Sequence, residues 1–327
     1  MKAVLCREHG PPESLTIGKS EVPPLGPEEV RIKVGACAIN FPDMLIVAGR
    51  HQMSPPLPFI PGGEVAGTVS AVGSDVSDLA CGDRVMAITY LGGLAEFVNA
   101  PRSAVHPWPE DMPLEIAAGF AGAYATACHA LKQRAKLRAG QTLLVLGAAG
   151  GIGLAAVQLG KAMGARVIAG AGSEEKAGFL RAGAADAVIN YTAADLREEV
   201  RAIAGRRGVD VVCDPVGGDL FDQAVRCMAW GGRLVVVGFA SGRIPDFAVN
   251  LALLKGTSVV GVNYARFVEE QPDEAANNIR ELFSMYADNR LDPHVARTFP
   301  ITETARAMNC LKNRDAIGKV IVRVSRS

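Results

Sequence analysis

A chain of 327 residues with 49% hydrophobic and 21% charged side chains exceeds the usual size of one domain and has material for two cores. Its 34 basic residues equal its 34 acidic ones, for a formal net charge of +0, which argues against nucleic acid as a partner. The N-terminal MKAVLCREHG meets Arg7, Glu8 and His9 before the apolar core of a signal peptide can form, and no later stretch stays apolar long enough to cross a bilayer. A cytoplasmic protein with no membrane partner is the expectation.

The first third is rich in Pro and Gly and carries short alternating runs, VRIKVGA (30–36), VAGTVSAVG (65–73) and DRVMAI (83–88). Alternation of this kind predicts a twisted, barrel-like β domain. Within it, FIPGGEVAG (59–67) sets a lone carboxylate, Glu64, directly after two glycines in an apolar run. A carboxylate in such surroundings calls for a cationic or metal partner. The seven cysteines are scattered singly with no CxxC pair, as expected of reduced, mostly buried thiols. Cys37 and Cys81 lack the closely spaced ligand pairs of a structural zinc site.

From Pro113 the texture changes. PLEIAAGFAGAYATACHALKQRA has helical composition and leads through the turn at Arg138, Ala139 and Gly140 into TLLVL (142–146). Five further apolar runs follow, ARVIAGA (165–171), AVIN (187–190), VDVVCD (209–214), RLVVVG (233–238) and TSVVGV (257–262), separated by helical stretches. This predicts an α/β arrangement, a parallel sheet buried on both faces. The tail holds helical DEAANNIRELFSMYA and TETARAMNCL and two strands, VARTF and KVIVRV, which lack a sheet of their own and are expected to complete the first domain.

Between TLLVL and the next helix lies GAAGGIGLAAVQLGKAMGA, with Gly147, Gly150, Gly151 and Gly153 in the turn. A glycine turn at a strand-to-helix junction lets backbone approach a pyrophosphate, to which the helix N-terminus offers N–H groups and a positive dipole. A dinucleotide site is expected there, against Gly147, Ala149, Gly150, Gly151 and Ile152. At the end of the second strand, where an NAD-specific fold places an acid on the ribose, this chain has Ala171. Ser173 is placed to cap the following helix, and Lys176 falls in its first turn, where the macrodipole disfavours a cation unless a phosphate is bound beside it. With the hydroxyl of Tyr191 added, the set points to NADPH. The plainer alternative makes Ser173 only a cap, Lys176 a solvated cation and Tyr191 a surface aromatic, with Glu174 and Glu175 opposing a phosphate.

The motifs NFPDMLIVAG (40–49), PPLPFIPGGEVAGTV (55–69), GDRV (82–85), YATACHAL (124–131), the glycine loop, DPVGG (214–218), GGRLVVVGFASG (231–242) and GKVIV (318–322) occur in this order over nearly the whole chain. In them the chain resembles the zinc-free quinone oxidoreductases of the medium-chain dehydrogenase/reductase superfamily, the group that includes zeta-crystallin. The resemblance implies a GroES-like β-rich catalytic domain, 1–119 with 265–327, interrupted by a Rossmann NADPH-binding domain, 120–264, with the active site in the cleft between them. It adds Gly238, Phe239 and Ala240 to the expected cofactor contacts. Where zinc-dependent relatives hold their catalytic metal with a cysteine, a histidine and a cysteine, matching the motifs puts Asn40, Gly63 and Gly122, so no metal is expected.

Without a Lewis acid, an alcohol is poorly prepared for hydride loss, whereas a quinone or enone accepts hydride with only hydrogen-bond donors and a later proton. The resemblance puts Asn40 in the cleft as a donor and Asp43 as its orienter, or else as a helix cap, with Glu64 holding the lining by hydrogen bonds. His51 stands where many relatives carry a tyrosine, and is either a proton source or a solvated loop histidine. The expected function is hydride transfer from NADPH to a small quinone or enone by a homodimer in which TSVVGV pairs across a twofold axis, with Tyr264 and Arg266 bordering the cleft. Two alternatives are an enoyl-thioester reductase with Arg50 and Arg266 at its entrance, and a non-catalytic NADPH-binding structural or RNA-binding protein.

Overall fold

The run EVRIKVGACAI forms the longest strand, Glu29–Ile39, whose alternating buried residues Val30, Ile32 and Val34 give way to a fully buried stretch near its end. That change follows from its neighbours. Strand Glu64–Val72 pairs with it almost throughout, while Phe97–Pro101 pairs antiparallel with its first half and Lys319–Arg323 with its second. These strands belong to a seven-stranded sheet that also contains Arg84–Ile88, Val105–Pro107 and Val295–Pro300. Ile32, Val34, Val65, Val85, Leu94 and Val320 fill its core. The tail strands therefore join this sheet, as expected of VARTF and KVIVRV.

The computed structural model describes residues 1–183 and 185–325. Two units emerge: Met1–Gly122 with the segment from His294 onward, and Ala123–Pro293. The return to the first unit comes later than the residue 265 expected from the sequence. Helices Tyr264–Glu270 and Pro272–Ala287 stay with the second unit, where Lys132 and Gln133 both hydrogen-bond to Asn278 and Gln133 also reaches Glu274.

The second unit is a six-stranded, all-parallel sheet in the order Ala187–Asn190, Arg166–Ala171, Thr142–Val145, Val209–Asp214, Met228–Val236, Ser258–Gly261. Each apolar run singled out in the sequence contributes one strand. Chain order reverses between Thr142–Val145 and Val209–Asp214, and in open sheets of this kind ligands bind at the carboxyl ends of the strands beside that switch point. No helix of the described residues is long and apolar enough to cross a membrane.

Candidate active site

Glu64, 2% exposed, opens strand Glu64–Val72 and sits opposite Ala38 in the register. On the other side of Glu29–Ile39, Val320 pairs with Ile39, which brings Lys319 beside Asn40. The Lys319 ammonium donates to Asn40 Oδ1 at 2.5 Å and to Glu64 Oε2 at 2.9 Å, while Asn40 Nδ2 donates to Glu64 Oε2 at 3.0 Å. Because an ammonium only donates and a carboxylate only accepts, these partners fix which way the Asn40 amide faces. The second carboxylate oxygen, Glu64 Oε1, accepts the backbone N–H of Gly122 at 2.6 Å, at the π-helical turn Ala121–Ala125.

Two glycines make room for this arrangement. A Cβ on Gly122 would stand 2.8 Å from Glu64 Oε2, and one on Gly119 would stand 2.9 Å from the Lys319 Cε. Asp43, 3% exposed, reaches back from helix Phe41–Val47 to accept the backbone N–H of Asn40 at 2.7 Å. Burial pushes its carboxyl up to about 7, with Glu64 adding to the rise and the backbone N–H groups of Asn40 and Gly63 and the charge of Lys319 opposing it. Asp43 thus caps its helix and holds the Asn40 backbone.

His51 is not part of this cluster. Its Nδ1 accepts the backbone N–H of Met53 at 3.0 Å in the turn after the helix, and no hydrogen bond joins it to Asn40, Asp43 or Glu64. Cys37 is fully buried and its thiol is pushed well up by desolvation, as suits a small apolar core residue.

In the second unit, Gly147 has φ +56, Gly150 is the N-cap of helix Gly151–Ala162, and a Cβ on Gly153 would lie 2.2 Å from the Gly147 carbonyl oxygen. Only glycine lets the helix start this close to the strand end, and a helix start carries N–H groups without intrahelical partners. At Gly150 an added Cβ would only make ordinary contact with the Gly147 carbonyl oxygen, at 3.4 Å. Ala149 and Ile152 flank these glycines, Ala149 buried and Ile152 half-buried. The residues present form a cradle that fits a pyrophosphate.

Ala171 ends its strand at 1% exposure. Ser173 caps helix Glu174–Ala182, its Oγ accepting the Lys176 N–H at 3.3 Å, and Tyr191 lies where added Cβ atoms would fall, its ring 3.3 Å from one on Gly170 and its hydroxyl oxygen 3.1 Å from one on Gly172. Ser173, Lys176 and Tyr191 are therefore gathered at one strand end. The charge of Glu174 is met by Arg181 at 2.6 Å and Asn190 at 3.2 Å, and Arg181 holds its carboxyl below the usual range. Glu174 is then a poor opponent of an anion there.

Val237, Gly238 and Phe239, with Asn263, Arg266 and Phe267, line a cavity of about 530 Å³. The neighbouring Ala240 N–H is held by the Pro215 carbonyl at 3.1 Å. Arg266 pairs with Glu269 at 3.3 Å and with Glu270.

Residues 26–110 match the alcohol dehydrogenase GroES-like domain, and residues 151–282 match the zinc-binding dehydrogenase family. The chain is 36% identical to the quinone oxidoreductase-like protein 2 homolog of Nematostella vectensis over 98% of its length and 88% of the relative's. It is 32% identical to the quinone oxidoreductase of Rattus norvegicus, covering 98% of this chain and 97% of that one. The chain belongs to the quinone oxidoreductase family of the medium-chain dehydrogenase/reductase superfamily. The structure of Escherichia coli quinone oxidoreductase complexed with NADPH superposes with a TM-score of 0.92 at 30% identity, covering 99% of this chain and all (100%) of that one.

Because residues 151–282 match a zinc-binding family, the fit of the residues to a metal is a question for the site itself. At Asn40, Gly63 and Gly122 there is no thiolate or imidazole, and a Cβ on Gly63 would come within 3.0 Å of the Tyr90 backbone. Both oxygens of Glu64 are engaged, one by an ammonium. Among the described residues, no three of His, Cys, Asp and Glu are grouped to hold a metal ion. This donor set does not fit zinc.

Lys319 is the residue of this cluster that reading the sequence missed. The signal was half present, because a buried Glu64 demands a cation and GKVIV stood among the family motifs; what no spacing reveals is that Lys319 lies across strand Glu29–Ile39 from Glu64.

Proposed function

We propose that the protein is an NADPH-dependent reductase that passes hydride to a quinone or an activated enone without a metal ion. The observation that carries this reading is the Lys319 ammonium seated on Glu64 among Asn40, Gly63 and Gly122. A single fixed ammonium suits an acceptor that is already electrophilic better than an alcohol that must first be ionised. When bound, NADPH supplies the hydride. Gly147, Ala149, Gly150, Gly151 and Ile152 would hold its pyrophosphate, Ser173, Lys176 and Tyr191 its 2′-phosphate, and Gly238, Phe239 and Ala240 its nicotinamide end.

Asn40 contributes the Nδ2 hydrogen that Glu64 leaves unused, and Asp43 fixes the backbone beneath it. The proton that completes the product comes from solvent in this reading, since His51 is turned onto the Met53 backbone. Reduction of a bulky enoyl thioester gains little from Arg266, whose charge is met by Glu269 and Glu270.

The homodimer belongs to the same proposal. Among the described residues, strand Ser258–Gly261 pairs only with Met228–Val236 and ends the sheet, while Leu253, Val249 and Ile244 are 82%, 75% and 71% exposed. An unpaired edge and bare apolar side chains in one unit fit a second copy of this chain. Light scattering on the eluting protein checks it.

Steady-state NADPH oxidation against quinones, alkenals and enoyl thioesters, with and without chelator, tests the function. Turnover of quinones or alkenals that survives chelation supports it. Turnover lost with bound zinc sinks it, and NADPH binding with no turnover of any acceptor favours the non-catalytic alternative.

A further inference from the structure

We propose that Lys319 is a catalytic residue: its ammonium, held by Asn40 and Glu64, binds the acceptor oxygen as negative charge develops there. This rests on the reductase reading above and adds the group that stabilises the charge.

Two of the three residues at the metal-ligand positions are tied to this ammonium: Asn40 accepts from it directly at 2.5 Å, and Gly122 reaches it through Glu64. An ammonium has three N–H groups. Two are taken by Asn40 and Glu64, and no acceptor is found for the third among the described residues. The side chain is 11% exposed, little enough for its field to escape most screening. The Glu64 carboxylate, 3% exposed, holds the ammonium in place at 2.9 Å.

In the reaction, the hydride brings two electrons to the enone β-carbon, the C=C pair shifts, and the carbonyl π pair moves onto oxygen; NADPH is oxidised to NADP⁺. With a quinone the product is the hydroquinone monoanion. Lys319 forms a charge-assisted hydrogen bond to that oxygen and keeps all three of its own hydrogens, and water supplies the completing proton. A preformed donor aimed where charge develops accelerates such steps by about a hundredfold or more.

Wild-type turnover of 1,4-benzoquinone and an alkenal is measured first, and its absence overturns the reductase reading. Given turnover, Lys319→Met combined with Glu64→Gln removes the ammonium without stranding a buried carboxylate. The expected result is a kcat about a hundredfold lower, with NADPH affinity by fluorescence titration within about twofold of wild type. Lys319→Arg, which keeps a cation, is expected to exceed the double variant by about tenfold. Turnover of the double variant within about threefold of wild type would show that Lys319 only balances Glu64 and would overturn the proposal. Should the double variant fail to fold, Lys319→Met and Lys319→Arg are compared directly, and equal kcat in the two overturns it.

Discussion

Lys319 and Glu64 are 255 positions apart in the chain, yet their charged groups meet at 2.9 Å with side chains only 11% and 3% exposed. A buried ion pair need not add net stability, but removing one partner strands the other charge. Lys319→Met alone is expected to destabilise the protein by roughly 3–5 kcal/mol, and adding Glu64→Gln should recover most of that loss. Urea unfolding of the two single variants and the double variant checks this. Strictly additive losses would mean the pair is not coupled.

Steric room around the carboxylate gives a second test. Gly122→Ala puts a methyl group 2.8 Å from Glu64 Oε2 and is expected to cost about 1–3 kcal/mol, because the carboxylate must move against its bonds to Lys319 and Asn40. Gly178→Ala, inside helix Glu174–Ala182 with nothing within 4 Å of its added Cβ, should instead stabilise by up to about 1 kcal/mol. Melting curves that rank these two variants the other way round would contradict the geometry at Gly122.

The contrast between these sites shows how far the sequence could be read. The glycine loop and the six strand runs were legible because each is a local pattern, a short apolar run or a turn whose glycines have a local purpose, as Gly153 does against the Gly147 carbonyl. The need of Glu64 for a cation was legible too. Its partner was not, since pairing of Lys319–Arg323 with Glu29–Ile39 is a long-range event with no periodicity to announce it. His51 followed the family motif into the expected site but is drawn aside by a local bond to Met53. Helices Tyr264–Glu270 and Pro272–Ala287 look the same in sequence whichever unit they pack on, which is why the later boundary was missed.

Asp43 makes stability depend on pH in a defined direction. Its carboxyl is pushed from 3.8 up to about 7, chiefly by burial, so the folded protein holds a proton that the unfolded chain has already released. The stabilising contribution is full below pH about 4 and is lost as pH rises through about 7. Asp43→Asn keeps an acceptor for the Asn40 N–H and cannot ionise. The stability of the variant relative to wild type should therefore rise between pH 4 and 8, as read by denaturant titration at about five pH values. Parallel curves for the two proteins would place the Asp43 carboxyl in its ordinary range.

Cofactor choice is decided at the end of strand Arg166–Ala171. A 2′-phosphate brings close to two negative charges and strong acceptor oxygens, and needs cations and donors around it. Ser173, Lys176 and Tyr191 are gathered there, and Glu174, one of two acids in the first turn of the helix, is held by Arg181 and Asn190. A hydrogen bond from Lys176 to a charged phosphate is worth about 1.5–3 kcal/mol. Lys176→Ala should then weaken NADPH binding by on the order of tenfold or more while hardly changing NADH, and Tyr191→Phe should weaken NADPH by a smaller factor of about two to ten. Ala171→Asp is a less clean probe than the sequence implies, because at 1% exposure the new carboxylate would be buried and would cost folding stability before it reached a ribose. Fluorescence titration of both cofactors at one fixed salt concentration measures the ratio directly. Equal weakening of NADPH and NADH by Lys176→Ala, or a wild-type preference for NADH, would remove the 2′-phosphate from this strand end and leave the glycine loop as a site for the pyrophosphate alone.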